Sequence, residues 1–273
     1  MERMAFERVK KMVREHSGLD CSGYRDEYLQ RRFKIRLTAT GVENYGRYIG
    51  YLKNHPDEFQ NLINDLAINY TMFFRDADVY GYLQKNLLPK ILFSSDHVRI
   101  WSAGCATGEE PYSLAILIHK VLGHAIASHS VTLYASDIDK DALAKAEAGV
   151  YLEKQLGFLD RFSVDRFFTR EGDNCRVNDF LKQIIRFERV DLNTSCIHQN
   201  IDLILCRNVM IYFSKESQQK IHMNFYNSLK EGGYFITGKS EILTGEPARV
   251  FRSVDSSVRV YQKPARPIDV LKA

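Results

Sequence analysis

Three places in the sequence set acids, an amide or a guanidinium directly after an apolar run. The first is Ile100-Trp-Ser-Ala-Gly-Cys-Ala-Thr-Gly-Glu-Glu-Pro-Tyr-Ser113, where Gly104 and Gly108 let the backbone approach a ligand closely and Pro111 suits the first turn of a helix. Glu109 and Glu110 stand where a phosphate would sit in a dinucleotide loop, so like charges argue against a pyrophosphate. A ligand bearing a cation, such as an ammonium or a sulfonium, fits better. The second place is Ala135-Ser-Asp-Ile-Asp139: Asp137 is suited to accept hydrogen bonds from ribose hydroxyls, and Asp139 to cap the following helix. The third is Arg207-Asn208 after Ile201–Cys206, with Tyr212 close behind.

Taken singly, each feature has a plain structural reading: a turn, a cap, a rim tyrosine. Their recurrence at successive strand ends favours a ligand pocket. A ribose acid, a glycine turn and an acidic first turn without a phosphate signature point to S-adenosylmethionine.

The elements that position these residues begin with helices. Segments of about 3–16, 23–38, 43–53 and 56–68 lack strand alternation and are separated by turn residues such as Ser17-Gly18 and Asn54-His55-Pro56. From Val98 the grammar changes. Apolar β-rich runs at Val98–Ser102, Val131–Ser136, Ile184–Val190, Ile201–Cys206 and Tyr234–Thr237 alternate with helical stretches near 110–122, 139–147 and 215–229. This predicts an α/β fold, a mostly parallel sheet with helices on both faces, finished by an antiparallel edge over Val250–Tyr261. The rhythm breaks between Tyr151 and Arg189, which suggests a small β insertion at the sheet's edge, at about 155–187.

Composition narrows the field. The chain has 273 residues, enough for two domains, with 45% hydrophobic and 26% charged residues. No apolar run approaches a membrane span, and the N-terminal stretch lacks a signal-peptide core. The five cysteines contain no CxxC pair, which suggests reduced thiols in the cytoplasm and no metal site. A net charge of +4 is too mild to imply nucleic acid.

Four motifs in order, Leu66-Ala-Ile-Asn-Tyr-Thr-Met-Phe-Phe-Arg75, Gly104–Ser113, Ala135–Asp139 and Cys206-Arg-Asn-Val-Met-Ile-Tyr-Phe213, resemble the CheR-type chemotaxis receptor methyltransferases. The resemblance implies a class I S-adenosylmethionine-dependent methyltransferase, with a Rossmann-like doubly wound sheet at about 76–273 preceded by a small all-helical domain at about 1–75. It implies methyl transfer to glutamate side chains of bacterial chemoreceptors, with S-adenosylhomocysteine as product. The implied cofactor contacts are Asn69, Thr71, Arg75, Gly104, Glu109, Asp137, Leu192, Arg207 and Asn208, together with Asp191, where the family usually has asparagine. Arg75, set beside an aromatic pair, is expected to be buried with an anionic partner, either the cofactor's carboxylate or the substrate's. Arg75 and Tyr212 are the expected catalytic residues, orienting an incoming carboxylate that needs no general base because it is already ionised at neutral pH.

Tyr28–Leu37 carries four basic residues and no acid. At helical spacing Leu29, Phe33 and Leu37 form an apolar stripe, so Arg31, Arg32 and Lys34 point outward and Arg36 lies on the margin. A solvated face explains such a run by itself; the resemblance makes it a docking surface for the cytoplasmic methylation helices of receptors. The insertion resembles the family's small β-subdomain, but its loop Arg170–Val177 is short for capturing a receptor's C-terminal peptide, so no tether is expected. A monomer is expected, without nucleic acid or membrane insertion. Two other functions remain open at this point: a methyltransferase for another carboxylate, and a non-catalytic S-adenosylmethionine-binding module.

Overall fold

The computed structural model describes residues 2–95, 97–193 and 197–265. Four helices come first: α1 (Glu2–Ser17), α2 (Asp26–Thr40), α3 (Tyr45–Asn54) and α4 (Glu58–Leu66). They fall where the turn residues of the sequence divide it. Each buries one apolar stripe, and Phe6, Val9, Leu29, Phe33, Tyr48, Leu52, Phe59 and Leu62 close into a common core. Asn44 starts α3 by accepting from the Arg47 N–H at 2.9 Å.

Then α5 (Ala77–Tyr82) and α6 (Leu88–Leu92), flanking a π-helical stretch at Leu83–Leu87, lead into β1 (His97–Ala103). The alternation continues through α7 (Glu109–Leu122), β2 (Ser130–Asp137) and α8 (Lys140–Ala148). A small antiparallel sheet follows: β3 (Val150–Leu152), α9 (Arg161–Phe167), β4 (Phe168–Glu171) and β5 (Asn174–Val177), in the order β3-β5-β4. It begins earlier than the sequence suggested, because β3 leaves α8 directly and pairs with β5, Tyr151 opposite Cys175. The chain returns through α10 (Asp179–Lys182), β6 (Ile185–Arg189), β7 (Ile201–Cys206), α11 (Lys215–Ser228), β8 (Leu229–Thr237), α12 (Glu246–Val250), β9 (Arg252–Asp255) and β10 (Val260–Gln262).

The main sheet runs β6-β2-β1-β7-β8-β10-β9. Its first five strands are parallel, and β10 runs antiparallel to both β8 and β9. All six residues of β7 are buried, as expected of a parallel strand covered on both faces. The winding direction reverses between β1 and β7, the place where such sheets open a crevice beyond their carboxyl ends.

The helical unit is fastened over that crevice. Tyr24 forms an antiparallel bridge with Phe213, with Arg25 N–H donating to the Tyr212 carbonyl at 3.0 Å and Ser214 N–H to the Gly23 carbonyl at 2.9 Å. The Arg25 guanidinium also donates to the Ile211 carbonyl. Among the described residues, no helix is long and apolar enough to cross a membrane, and no cluster of three or more His, Cys, Asp or Glu side chains could hold a metal. Cys21, Cys105, Cys175 and Cys206 are free and buried; Cys196 lies outside the described residues.

Candidate active site

A cleft of about 880 Å³, counting its open mouth, occupies the reversal point. Its walls come from the strand ends: Gly104 and Ala106 after β1, Asp137 and Ile138 at β2, Val190, Asp191 and Leu192 after β6, and Arg207, Asn208, Val209 and Tyr212 after β7. Asn69, Tyr70, Thr71, Met72 and Arg75 close it from the linker that leaves α4, and Tyr24 reaches it from the helical unit. Residues far apart in sequence therefore meet, as the motif order suggested. Gly104, at φ 84°, is needed at its turn for a second reason. A Cβ there would lie 2.4 Å from Val209 Cγ2, so the β1 and β7 loops could not close together.

The acid after β2 lines the cleft. Asp137 accepts from the N–H groups of Ala106 at 2.8 Å and Asp139 at 3.0 Å. Burial nevertheless raises its carboxyl above the ordinary value, with those two hydrogen bonds opposing the shift. Asp139 caps α8 through the N–H groups of Asp141 and Ala142, and its other oxygen takes the Asn69 amide at 2.6 Å. Asn69 thus lines the cleft while its NH2 group is committed to the cap.

One expectation is reversed at the first turn of α7. Glu109 is 2% exposed, does not line the cleft, and accepts from Thr107 Oγ1 at 2.6 Å. Glu110 is the acid that lines the cleft. Adjacent helix residues point about 100° apart, so only one of the two could face the ligand. Glu110 takes the Ser102 hydroxyl at 2.8 Å and Arg207 Nη1 at 3.2 Å.

Arg207 and Arg75 divide the basic chemistry differently from what sequence suggested. Arg207 is the buried arginine, with 2% of its side chain exposed. Its Nη2 donates to Asp76 at 2.6 Å and to the Arg75 carbonyl at 2.8 Å, Nη1 reaches Glu110, and Tyr80 lies beneath at 5.5 Å. Its Nε is buried without a protein partner. Arg75, expected to be buried and paired, is only half-buried; Nη1 donates to the Tyr70 carbonyl at 3.0 Å and the guanidinium lies 5.6 Å from the exposed Tyr70 ring. No carboxylate pairs with Arg75 among the described residues.

At the far wall, Asn208 stands in the left-handed region at φ 60°, with Oδ1 buried and unpartnered. Tyr212 is half-buried, its ring 4.9 Å from that of Tyr28 on α2. Burial raises its phenol, opposed by Arg32 and Arg75, so it stays a neutral hydrogen-bond donor at physiological pH. Asp191 uses both oxygens on backbone, accepting from Asn193 N–H at 2.9 Å and Asp20 N–H at 3.3 Å, and so ties the cleft wall to the helical unit.

On α2, Leu29 and Phe33 are buried and Arg31 and Lys34 exposed, while Arg32 is half-buried with its guanidinium 5.5 Å from the Tyr28 ring. Arg36 is not a surface cation. It grips both oxygens of Glu58 at 2.8 and 2.7 Å and reaches Asp65 at 3.1 Å, because α4 packs against the margin of α2.

The residues present suit S-adenosylmethionine. Ile138 and Leu192 offer an apolar wall, Asp137 offers ribose acceptors, and Asn208 Oδ1 and Arg207 Nε are a buried acceptor and donor without protein partners.

Comparison with known proteins agrees. The all-alpha domain model of CheR methyltransferases matches residues 4–67, and their SAM binding domain model matches residues 69–260. The chain belongs to the CheR family. The chemotaxis protein methyltransferase of Escherichia coli is 34% identical over 86% of this chain and 83% of its own. That of Borreliella burgdorferi is 30% identical over 87% and 88%, and chemotaxis protein methyltransferase 2 of Pseudomonas aeruginosa is 32% identical over 93% and 91%. As a CheR-family enzyme it is an S-adenosylmethionine-dependent methyltransferase of the class I fold, and its cofactor is the one the three strand ends suggested.

Three CheR-site features had no signal in the motifs. Asp76, one residue past the linker motif, pairs with Arg207 across 131 residues of chain. Tyr24 enters the cleft from before α2. Glu241, which follows β8, collects backbone N–H groups of the β7 loop. An acid just past an apolar strand was a signal available for Glu241, the same one that picked out Asp137.

Proposed function

We propose that this enzyme moves the sulfonium methyl of S-adenosylmethionine onto glutamate side-chain carboxylates of bacterial chemoreceptors, forming glutamyl methyl esters in sensory adaptation. The observation that carries the reading is Arg75: a cation in the cleft wall with no carboxylate partner of its own, on the same cleft as the neutral phenol of Tyr212. A carboxylate substrate would supply the missing anion. The names of the curated relatives, chemotaxis protein methyltransferases, support the receptor as the acceptor's source.

The cofactor supplies an electrophilic methyl group. A glutamate of pKa about 4.3 arrives ionised, so the protein has to desolvate and align it rather than deprotonate it. Arg75 and Tyr212 hold the carboxylate in line, and alignment of this kind contributes roughly 7–11 kcal/mol. Asp137 takes the ribose, Ile138 and Leu192 flank the adenine, and Asn208 and Arg207 meet the amino-acid end. Thr71 and Asn69 complete the linker side, and Asp191 contributes structure more than a side-chain contact, since both its oxygens are in use. Arg31, Arg32 and Lys34 form a basic approach on α2 for the Glu-rich methylation helices, and Tyr28 on the same helix touches Tyr212.

Incubation with labelled S-adenosylmethionine and receptor-containing membranes tests this. Base-labile label on receptors is expected. Label on another carboxylate acceptor, or tight cofactor binding with no transfer, overturns the receptor reading.

A further inference from the structure

Glu241 is 5% exposed, and no cation pairs with it among the described residues. A buried carboxylate without a counter-ion is costly unless dipoles satisfy it. Here they are backbone N–H groups: Oε2 accepts from Gly238 at 2.6 Å and Asn208 at 3.0 Å, and Oε1 from Met210 at 2.8 Å. Two of the three belong to the loop that follows β7.

That loop turns through a left-handed residue: Asn208 has φ 60°, a conformation asparagine adopts more readily than most side chains. Its N–H is one of those Glu241 captures. The opposite side of the loop is gripped by Gln218, whose amide donates to the carbonyls of Met210 at 2.8 Å and Phe213 at 3.1 Å. The room for this arrangement comes from Gly238, where a Cβ would lie 2.7 Å from Glu241 Oε2 and 2.8 Å from Asn208 N. The clamped segment carries Asn208, Val209 and Tyr212, all in the cleft wall, whereas Glu241 itself does not line the cleft.

We propose that Glu241 is a positioning residue for methyl transfer: by holding the N–H groups of Asn208 and Met210 it sets where Asn208 Oδ1 and the Tyr212 ring stand in the cleft. This rests on the S-adenosylmethionine reading of that cleft. A glutamine at this position keeps one acceptor but turns an NH2 group onto a backbone N–H, donor against donor, so the loop is released on one side without loss of volume.

The test compares Glu241→Gln with Val9→Ala, a core truncation in α1 remote from the cleft, at matched melting temperature. KM for S-adenosylmethionine and Kd for S-adenosylhomocysteine are measured on each. Glu241→Gln is expected to raise both by roughly tenfold or more, the scale of hydrogen bonds to a charged acceptor. Val9→Ala leaves both at the wild-type values. Wild-type KM and Kd in Glu241→Gln, or equal shifts in Val9→Ala, overturn the proposal. Should Glu241→Gln not fold, Gly238→Ala decides: it keeps the carboxylate group but pushes Glu241 Oε2 and the Asn208 N–H apart from the new Cβ, and a folded Gly238→Ala with unchanged KM overturns the proposal equally. Failure of the wild-type protein to bind S-adenosylhomocysteine would instead strike the cofactor reading itself.

Discussion

The helical unit and the cleft each hold an arginine between two acids, and the two clusters are finished differently. In the helical unit Arg36 spends Nε, Nη1 and Nη2 on Glu58 and Asp65, while Tyr48 and Asn61 donate to the same Glu58 carboxylate. In the cleft Arg207 meets Asp76 and Glu110 but keeps a buried Nε unsatisfied, and Asn208 beside it keeps a buried Oδ1 unsatisfied. A closed network of this kind holds two helices together. An open one, at the end of a parallel strand, leaves polar atoms for something that is not protein. The lesson is that an arginine's burial says little about its role; the count of its unmet hydrogen bonds says more.

That contrast can be broken by mutation. The largest effect is expected for Arg207→Ala, which leaves the buried Glu110 and the partly exposed Asp76 without their cation and removes part of the cleft wall. Stability should fall by about 3–5 kcal/mol and kcat/KM of the folded fraction by at least about 100-fold, read from urea melts and methyl-transfer rates. Arg36→Ala should cost stability on a similar scale, about 3 kcal/mol, because Glu58 is only 5% exposed, yet leave kcat/KM of the folded protein unchanged. If it lowers kcat/KM as Arg207→Ala does, the distinction between closed and open clusters fails.

Arg75→Ala sharpens the comparison from the other side. Arg75 has no acid to leave stranded, so its loss should change stability by less than about 0.5 kcal/mol while kcat falls by about 10–100-fold. Full turnover in Arg75→Ala would remove it from catalysis.

Asp137 provides a pH test. Burial raises its carboxyl, so the folded chain holds that proton more tightly than the unfolded chain does. Ionisation as pH rises through the ordinary 3.8 and then the raised value therefore subtracts stability, and at neutral pH the penalty is fully present. Asp137→Asn should remove that pH-dependent loss, measured by thermal melts across pH, at the cost of one backbone hydrogen bond, while weakening S-adenosylhomocysteine by about tenfold for want of a charged acceptor. A clear loss of stability at pH 7 would show that its two backbone hydrogen bonds outweigh desolvation. The smallest change is expected on the surface. Neutralising Arg31, Arg32 and Lys34 together should raise KM for receptor about threefold to tenfold and flatten its salt dependence, with KM for the cofactor unchanged.

Sequence by itself determined the order of elements and the chemistry at the strand ends. Apolar runs bounded by turn residues and separated by helical stretches are local signals, so α1–α4 and the five parallel strands were legible, and so were Asp139 as cap and Asp137 as an acid in the cleft wall. The small sheet's start at Val150 was not, since a three-residue strand exists only through its partner β5. Tertiary structure alone decided the charges. Glu109 and Glu110 are identical in type and adjacent, and only the rotation of α7 against the sheet chose Glu110 for the cleft. Arg36 looked like a neighbour of Arg32 until α4 brought Glu58 and Asp65 to it. Arg207 took the burial expected of Arg75 because Asp76, next to one in sequence, folds onto the other. A carboxylate's effect depends on distance and dielectric, and both are properties of the packed chain rather than of the spacing along it.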